Sequence, residues 1–265
     1  MKLNMVPSST GLLWVKLGIG TFFKQPLALG GLFFMSIAIS QILAIFPVIG
    51  MLVALTIVPA TTLGMMVATL QAVQGKFPMP VVLASAFKLG RERTLAMLKL
   101  GAMYALGFFM VITLAGLLDG GEIAKALGKS GVPTPEIVRM PGFLAALAVG
   151  GIGYLLLTLV FWHAPALVHW YAMPPTKALF FSVVACAKNA GAFAIFASAW
   201  MAVYLTAIMV LSGISSLLQL GTAGGLMMLP LGLILTTMFI CSIYFTFRDC
   251  FVHTEPNALQ TPHTD

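Results

Sequence analysis

The chain has 265 residues, of which 60% are hydrophobic and 8% charged, with a mean hydropathy of +1.04. Soluble domains carry about 25% charged residues, so a water-soluble globular protein is excluded and an integral membrane protein is indicated. On such a chain the net charge of +7 bears on which face of the bilayer the cations occupy, and no nucleic-acid partner is expected.

The N-terminal stretch does not read as a cleavable signal, because Lys16 and Lys24 interrupt its apolar run and no small-residue cleavage site follows. Its segment Gly11–Lys24, "GLLWVKLGIGTFFK", is apolar, ends in lysine and is too short to cross. With Ser9 or Thr10 as the expected N-cap, it is expected to lie in the headgroup plane as an interfacial helix anchored by Trp14. From Lys24 to Lys76 there is no Asp, Glu, Lys or Arg. As a helix this gap would measure about 75 Å against a hydrocarbon core of about 30 Å, so it must cross twice, turning back at "FPVIG". The two spans are placed at 27–46 and 49–73. Pro59 lies inside the second and is expected to kink it. Gln41, with Ser36 and Ser40, is a polar group inside the first.

Pro80–Lys88, "PVVLASAFK", is a second short interfacial segment. The cluster "LGRERT" that follows is read as a loop, and Lys88, Arg91, Arg93 and Lys99 are expected to contact anionic headgroups. A third span is placed at 99–118. The loop from Asp119 to Gly142 is the sizeable segment on the far side, and its "DGGEIAKALGK" could form a short helix capped by Asp119. A fourth span, 145–171, ends in the aromatic anchors Trp170 and Tyr171, and Met173-Pro174-Pro175 stops it. Inside it, Pro165 removes one backbone hydrogen bond and clashes with the Phe161 carbonyl, so a kink is expected there.

His163 lies about 12 Å of helix rise before Tyr171 and is expected inside the hydrocarbon. An ionisable group at that depth is a candidate ligand contact; a neutral histidine bonded to a neighbouring helix is the plainer expectation. His163 and His169 are six residues apart and project about 120° from one another, so they form no chelate. No metal or cofactor site is expected. Thr176–Lys188 is the third interfacial segment, with Thr176 as expected N-cap, and the last two spans are placed at 191–212 and 225–246, turning near "GTAGG". Cys186, Cys241 and Cys250 form no CxxC pair and read as small hydrophobes. The tail, 251–265, is polar and expected to be disordered and cytoplasmic.

The fold class is therefore all-α, a polytopic bundle of six spans with up to three interfacial helices. One domain, 1–250, would contain three parallel units, 9–75, 78–172 and 175–250, related by an axis along the membrane normal. With the N-terminus inside, the cytoplasmic face carries Lys2, Lys16, Lys24, Lys76, Lys88, Arg91, Arg93, Lys99, Lys177, Lys188 and Arg248, against Lys125, Lys129 and Arg139 outside. Both termini are thus expected in the cytoplasm.

The segments "WVKLGIGTFFKQPLALGGLF", "LLDGG" and above all "FWHAPALVHWYAMPPTKALFFSVVACAKNAGAF" resemble a family of six-span inner-membrane proteins of beta-proteobacteria with no assigned activity. The resemblance covers residues 11 to about 250. It implies a bacterial inner-membrane location and a six-helix fold, and no catalytic residue. The leading functional expectation is a non-enzymatic component that binds membrane lipids, partner membrane proteins or further copies of itself. A transporter or channel for a small or amphipathic solute is the alternative. An intramembrane enzyme is the least favoured, because no nucleophile, base and metal constellation is present.

Overall fold

The computed structural model describes residues 2–46, 48–123, 125 and 134–252. Its helices are α1 (Thr10–Lys24), α2 (Pro26–Ala44), α3 (Ile49–Val73), a 3-10 helix (Pro80–Phe87), α4 (Arg91–Asp119), α5 (Pro135–Val138), α6 (Phe143–Phe161), α7 (Ala164–Tyr171), α8 (Pro175–Lys188), α9 (Ala190–Leu217) and α10 (Thr222–Cys250). Six helical stretches are long and apolar enough to cross a membrane, and α6 with α7 form the fourth of them. The architecture is the expected all-α polytopic bundle. A helix is the only single-segment solution here, because lipid offers no partner for a free N–H or C=O.

Several boundaries differ from those read in the sequence. The third span begins at Arg91, so "RERT" is the first turn of α4 and not a loop. At about 1.5 Å per residue this 29-residue helix exceeds the hydrocarbon core by nearly half, and its charged end can lie among headgroups. The turn between the last two spans falls at Leu218–Gly221, and Thr222 already starts α10. Thr176 is not a cap. The helix starts at Pro175, whose fixed φ and missing N–H suit a first helical position. Ser9 likewise makes no side-chain cap bond. The second short segment is a 3-10 helix.

Both ends of the chain meet on one face. Lys2–Leu3 (β1) pairs antiparallel with Phe251–Val252 (β2), in the register Lys2 with Val252 and Leu3 with Phe251. The Asn4 N–H donates to the Cys250 carbonyl at 2.9 Å, and the Val6 N–H donates to Asn189 Oδ1 at 2.8 Å. Termini held side by side require an even number of crossings, in agreement with six. The tail was expected from residue 251; its first two residues are strand, and the rest lies outside the described residues, as does Lys129 in the far loop. In that loop Asp119 accepts from the Gly121 and Ile123 N–H groups at 2.9 and 2.8 Å, which is the expected capping role.

The short elements pack by a common rule. The 3-10 helix lies chiefly on α3, α8 lies on α6 and α7, and α1 lies across α9 and α10. Connectivity joins each to the span pair that follows it, whereas packing ties each to the pair before it, with α1 closing the ring on the last pair. Close approach between spans uses Gly101, where a Cβ would overlap the Thr56 carbonyl oxygen.

Candidate functional site

In the segment Phe161–His169 every residue is buried except Trp162, which is partly so. It contains the break between α6 and α7. In an unbroken helix the His163 N–H would donate to the Leu159 carbonyl. Here it donates to Ser182 Oγ at 3.0 Å, and Ser182 passes its own proton to the Leu159 carbonyl at 3.0 Å. A hydroxyl from α8 is thus inserted into the hydrogen-bond ladder, a recognised cause of sharp kinks. Pro165 sits at the second position of α7, where its missing N–H costs nothing. The expected kink is present, but Ser182 shapes it as much as Pro165 does.

His163 is fully buried. Its Nε2 lies 3.3 Å from Thr246 Oγ1, and its Nδ1 lies 3.9 Å from Cys186 Sγ. Thr246 donates its single proton to the Ile243 carbonyl at 2.7 Å and accepts from the Trp162 indole at 2.9 Å. It can therefore only accept from the histidine, which assigns the imidazole proton to Nε2. Burial pushes the Cys186 thiol up to about 12, so it stays protonated and can donate to the bare Nδ1 rather than act as a thiolate nucleophile or metal ligand. Phe193, Phe247 and Phe251 surround the ring at centroid distances of 5.8, 6.2 and 5.3 Å. His163 thus faces α8 and the C-terminal end of α10.

Pro59 and Pro165 line one cavity of about 140 Å³ together with Thr62, Tyr104, Tyr154 and Trp162. Both Thr61 and Thr62 fold back onto the Val58 carbonyl at 2.9 Å beside Pro59, and α3 continues through the proline. The two prolines are therefore brought together, and His163 is not part of the lining. Gln41 is exposed on α2 and takes no part in this cavity.

The surface candidates divide. Lys88, Arg91 and Lys99 are exposed, and Arg93 directs one of its donors into the protein. Partly buried, Arg93 donates from Nη1 to the His169 carbonyl at 2.9 Å, near the C-terminal end of α7, where a cation suits the helix dipole. Arg93→Ala is expected to lower stability by about 2 kcal/mol, read as an earlier thermal transition in detergent, with little recovery in Arg93→Lys because the planar fork is lost. Trp14 is not an interfacial anchor either: it is fully buried, and its indole donates to Asp249 Oδ2 at 2.9 Å. Trp170 and Tyr171 are half-buried, and Trp170 stacks on Phe247 at 5.0 Å. Cys186, Cys241 and Cys250 are free and buried, as expected. Among the described residues no group of His, Cys, Asp and Glu is arranged to hold a metal. Sequence reasoning missed Ser182 and Thr246, since a lone hydroxyl in an apolar helix gives no sign of its partner; Asp249 at a helix end next to Arg248 gave none either.

Six apolar spans, paired termini and a packed layer of short helices define a polytopic helical membrane protein. No protein-family model matches the chain, and no solved structure does. It is 34% identical over 267 residues to a probable inner membrane protein of Burkholderia thailandensis, across 100% of this chain and 99% of that one. The chain belongs to that family of inner-membrane proteins.

Proposed function

We propose that this inner-membrane protein is a non-enzymatic component that binds lipid or partner membrane proteins, with both termini in the cytoplasm. The observation that carries the reading is the closure of its polar centre. His163, Ser182, Thr246 and Trp162 satisfy one another beside aromatic rings, which supports a structural role for this centre. A group whose donors and acceptors are all used internally holds a fold together. Exposed Lys16, Lys24, Lys88, Arg91, Lys99 and Lys177 favour contact with an anionic leaflet, each cation being worth about 1 kcal/mol near such a surface. The same reading takes 9–75, 78–172 and 175–250 as three parallel units, supported by the shared docking rule of the short elements.

Purification from the native membrane in mild detergent, followed by mass spectrometry, tests the binding role. Retention of a lipid or protein at fixed stoichiometry is expected, and a preparation that carries neither would overturn it. Compartment-sensitive reporters fused to each end are expected to report cytoplasm at both.

A further inference from the structure

The last two spans touch at both ends and part between them. Toward the terminal face, Tyr204 and Thr236 hydroxyls pair at 3.1 Å and the Trp200 indole donates to Ser242 Oγ at 3.2 Å. At the opposite end a Cβ on Gly224 would overlap Ser215 Oγ, so the helices meet again. Between these points α10 contains Pro230, whose missing N–H removes one helix hydrogen bond. The gap is an apolar cleft of about 740 Å³, walled by Val203, Ala207, Val210, Met227, Pro230 and Leu231 among others.

Its dimensions select an occupant. From Tyr204 to Ser215 the helix rises about 16 Å, roughly one leaflet of a hydrocarbon core about 30 Å thick. An acyl chain matches both that length and the apolar walls. Above the cleft, away from the termini, a hollow of about 520 Å³ is lined by Ser212, Ser215, Ser216 and Gln219. Hydroxyls elsewhere in the spans, such as Ser36, Thr56, Thr69 and Thr158, fold back onto their own helix carbonyls. These four side chains have no such bond among the described residues. No charged side chain lines either hollow.

We propose that this cleft holds one phospholipid of the leaflet opposite the termini, its acyl chain between α9 and α10 and a headgroup of zero net charge on the serine rim. The assignment rests on the lipid-binding reading above and names its site and ligand class. Hydroxyls and a carboxamide can donate to a phosphate and accept from an ammonium, whereas no cation lines either hollow to favour an anionic headgroup. Pro230 was overlooked in the sequence although it carried the same signal as Pro59 and Pro165.

The test is native mass spectrometry of the full-length protein equilibrated with equal phosphatidylethanolamine and phosphatidylglycerol. One bound phosphatidylethanolamine is expected, favoured by about tenfold. Ala207→Trp, which fills the cleft, should reduce bound lipid by about tenfold or more. Ser212→Ala with Ser216→Ala, which preserves the helix, should keep a bound lipid but abolish the headgroup preference. Preference for phosphatidylglycerol, unchanged retention in Ala207→Trp, or an unchanged headgroup preference in the serine variant would overturn the site while leaving lipid binding standing. No lipid retained by the unaltered protein would overturn both.

Discussion

Trp14→Ala is expected to lower stability by about 3–5 kcal/mol, the range for truncating a fully buried aromatic side chain. The ring packs at 5.4 Å on Phe193 and 6.0 Å on Phe196 of α9, and its indole N–H reaches Asp249 on α10. One side chain thereby fastens α1 to both spans of the last pair, beside the strands that join the termini. Two losses add in the alanine variant: the ring's packing, and a donor to a partly buried carboxylate. Trp14→Phe separates them, keeping most of the packing and losing only the bond, at about 1–3 kcal/mol. Thermal unfolding in a fixed detergent should rank the proteins wild type, Trp14→Phe, Trp14→Ala. Near-equal transitions would restore the lipid-facing anchor that the sequence suggested.

His163→Ala is the second large effect, a loss of about 3 kcal/mol from the cavity and the broken contacts. The more informative comparison pairs it with Ser182→Ala. Removing the Ser182 hydroxyl strands the His163 N–H in a buried kink and leaves the Leu159 carbonyl only its longer contacts with the Trp162 N–H and Cys186 Sγ, at about 1–3 kcal/mol for an unsatisfied buried group. Because both residues shape one break in the helix, their effects should couple in a double-mutant cycle by 0.5 kcal/mol or more, as a rough threshold for contacting groups. Lipid retention per folded molecule should be unchanged in either variant. A folded His163→Ala protein of normal stability that had lost its bound lipid or partner would make this residue a ligand contact and overturn the closed-centre reading.

Much of the fold was legible in the sequence because charge is so scarce there. Gaps between cations bounded the spans, and the second was placed at its observed limits, Ile49–Val73. Breaks were legible where proline or glycine imposes them: Met173-Pro174-Pro175 does end α7, and Pro59 and Pro165 do line a cavity. Boundaries set by polar residues were misread. Charged residues can continue a helix into the headgroups, so Arg91 opens α4 where a loop was expected.

The node was half legible. "FWHAPALVH" announced itself through its histidine and proline inside an apolar run, and His163 proved to be bonded to neighbouring helices. Arg93 and Trp14 were assigned to the lipid surface on residue type alone, and both turned inward to partners 76 and 235 residues away.

Hydropathy, charge and proline placement are local properties, and they determined that this chain crosses the membrane six times as helices, with its short apolar segments left at the interface. Lipid treats all apolar faces alike, so the same pattern leaves undecided which face meets lipid and which meets protein. Only the tertiary structure decided that. It did so through hydrogen bonds between distant residues and through shape, which bring Ser182 into the ladder of α6, Trp14 onto Asp249 and Pro230 into the wall of an open cleft.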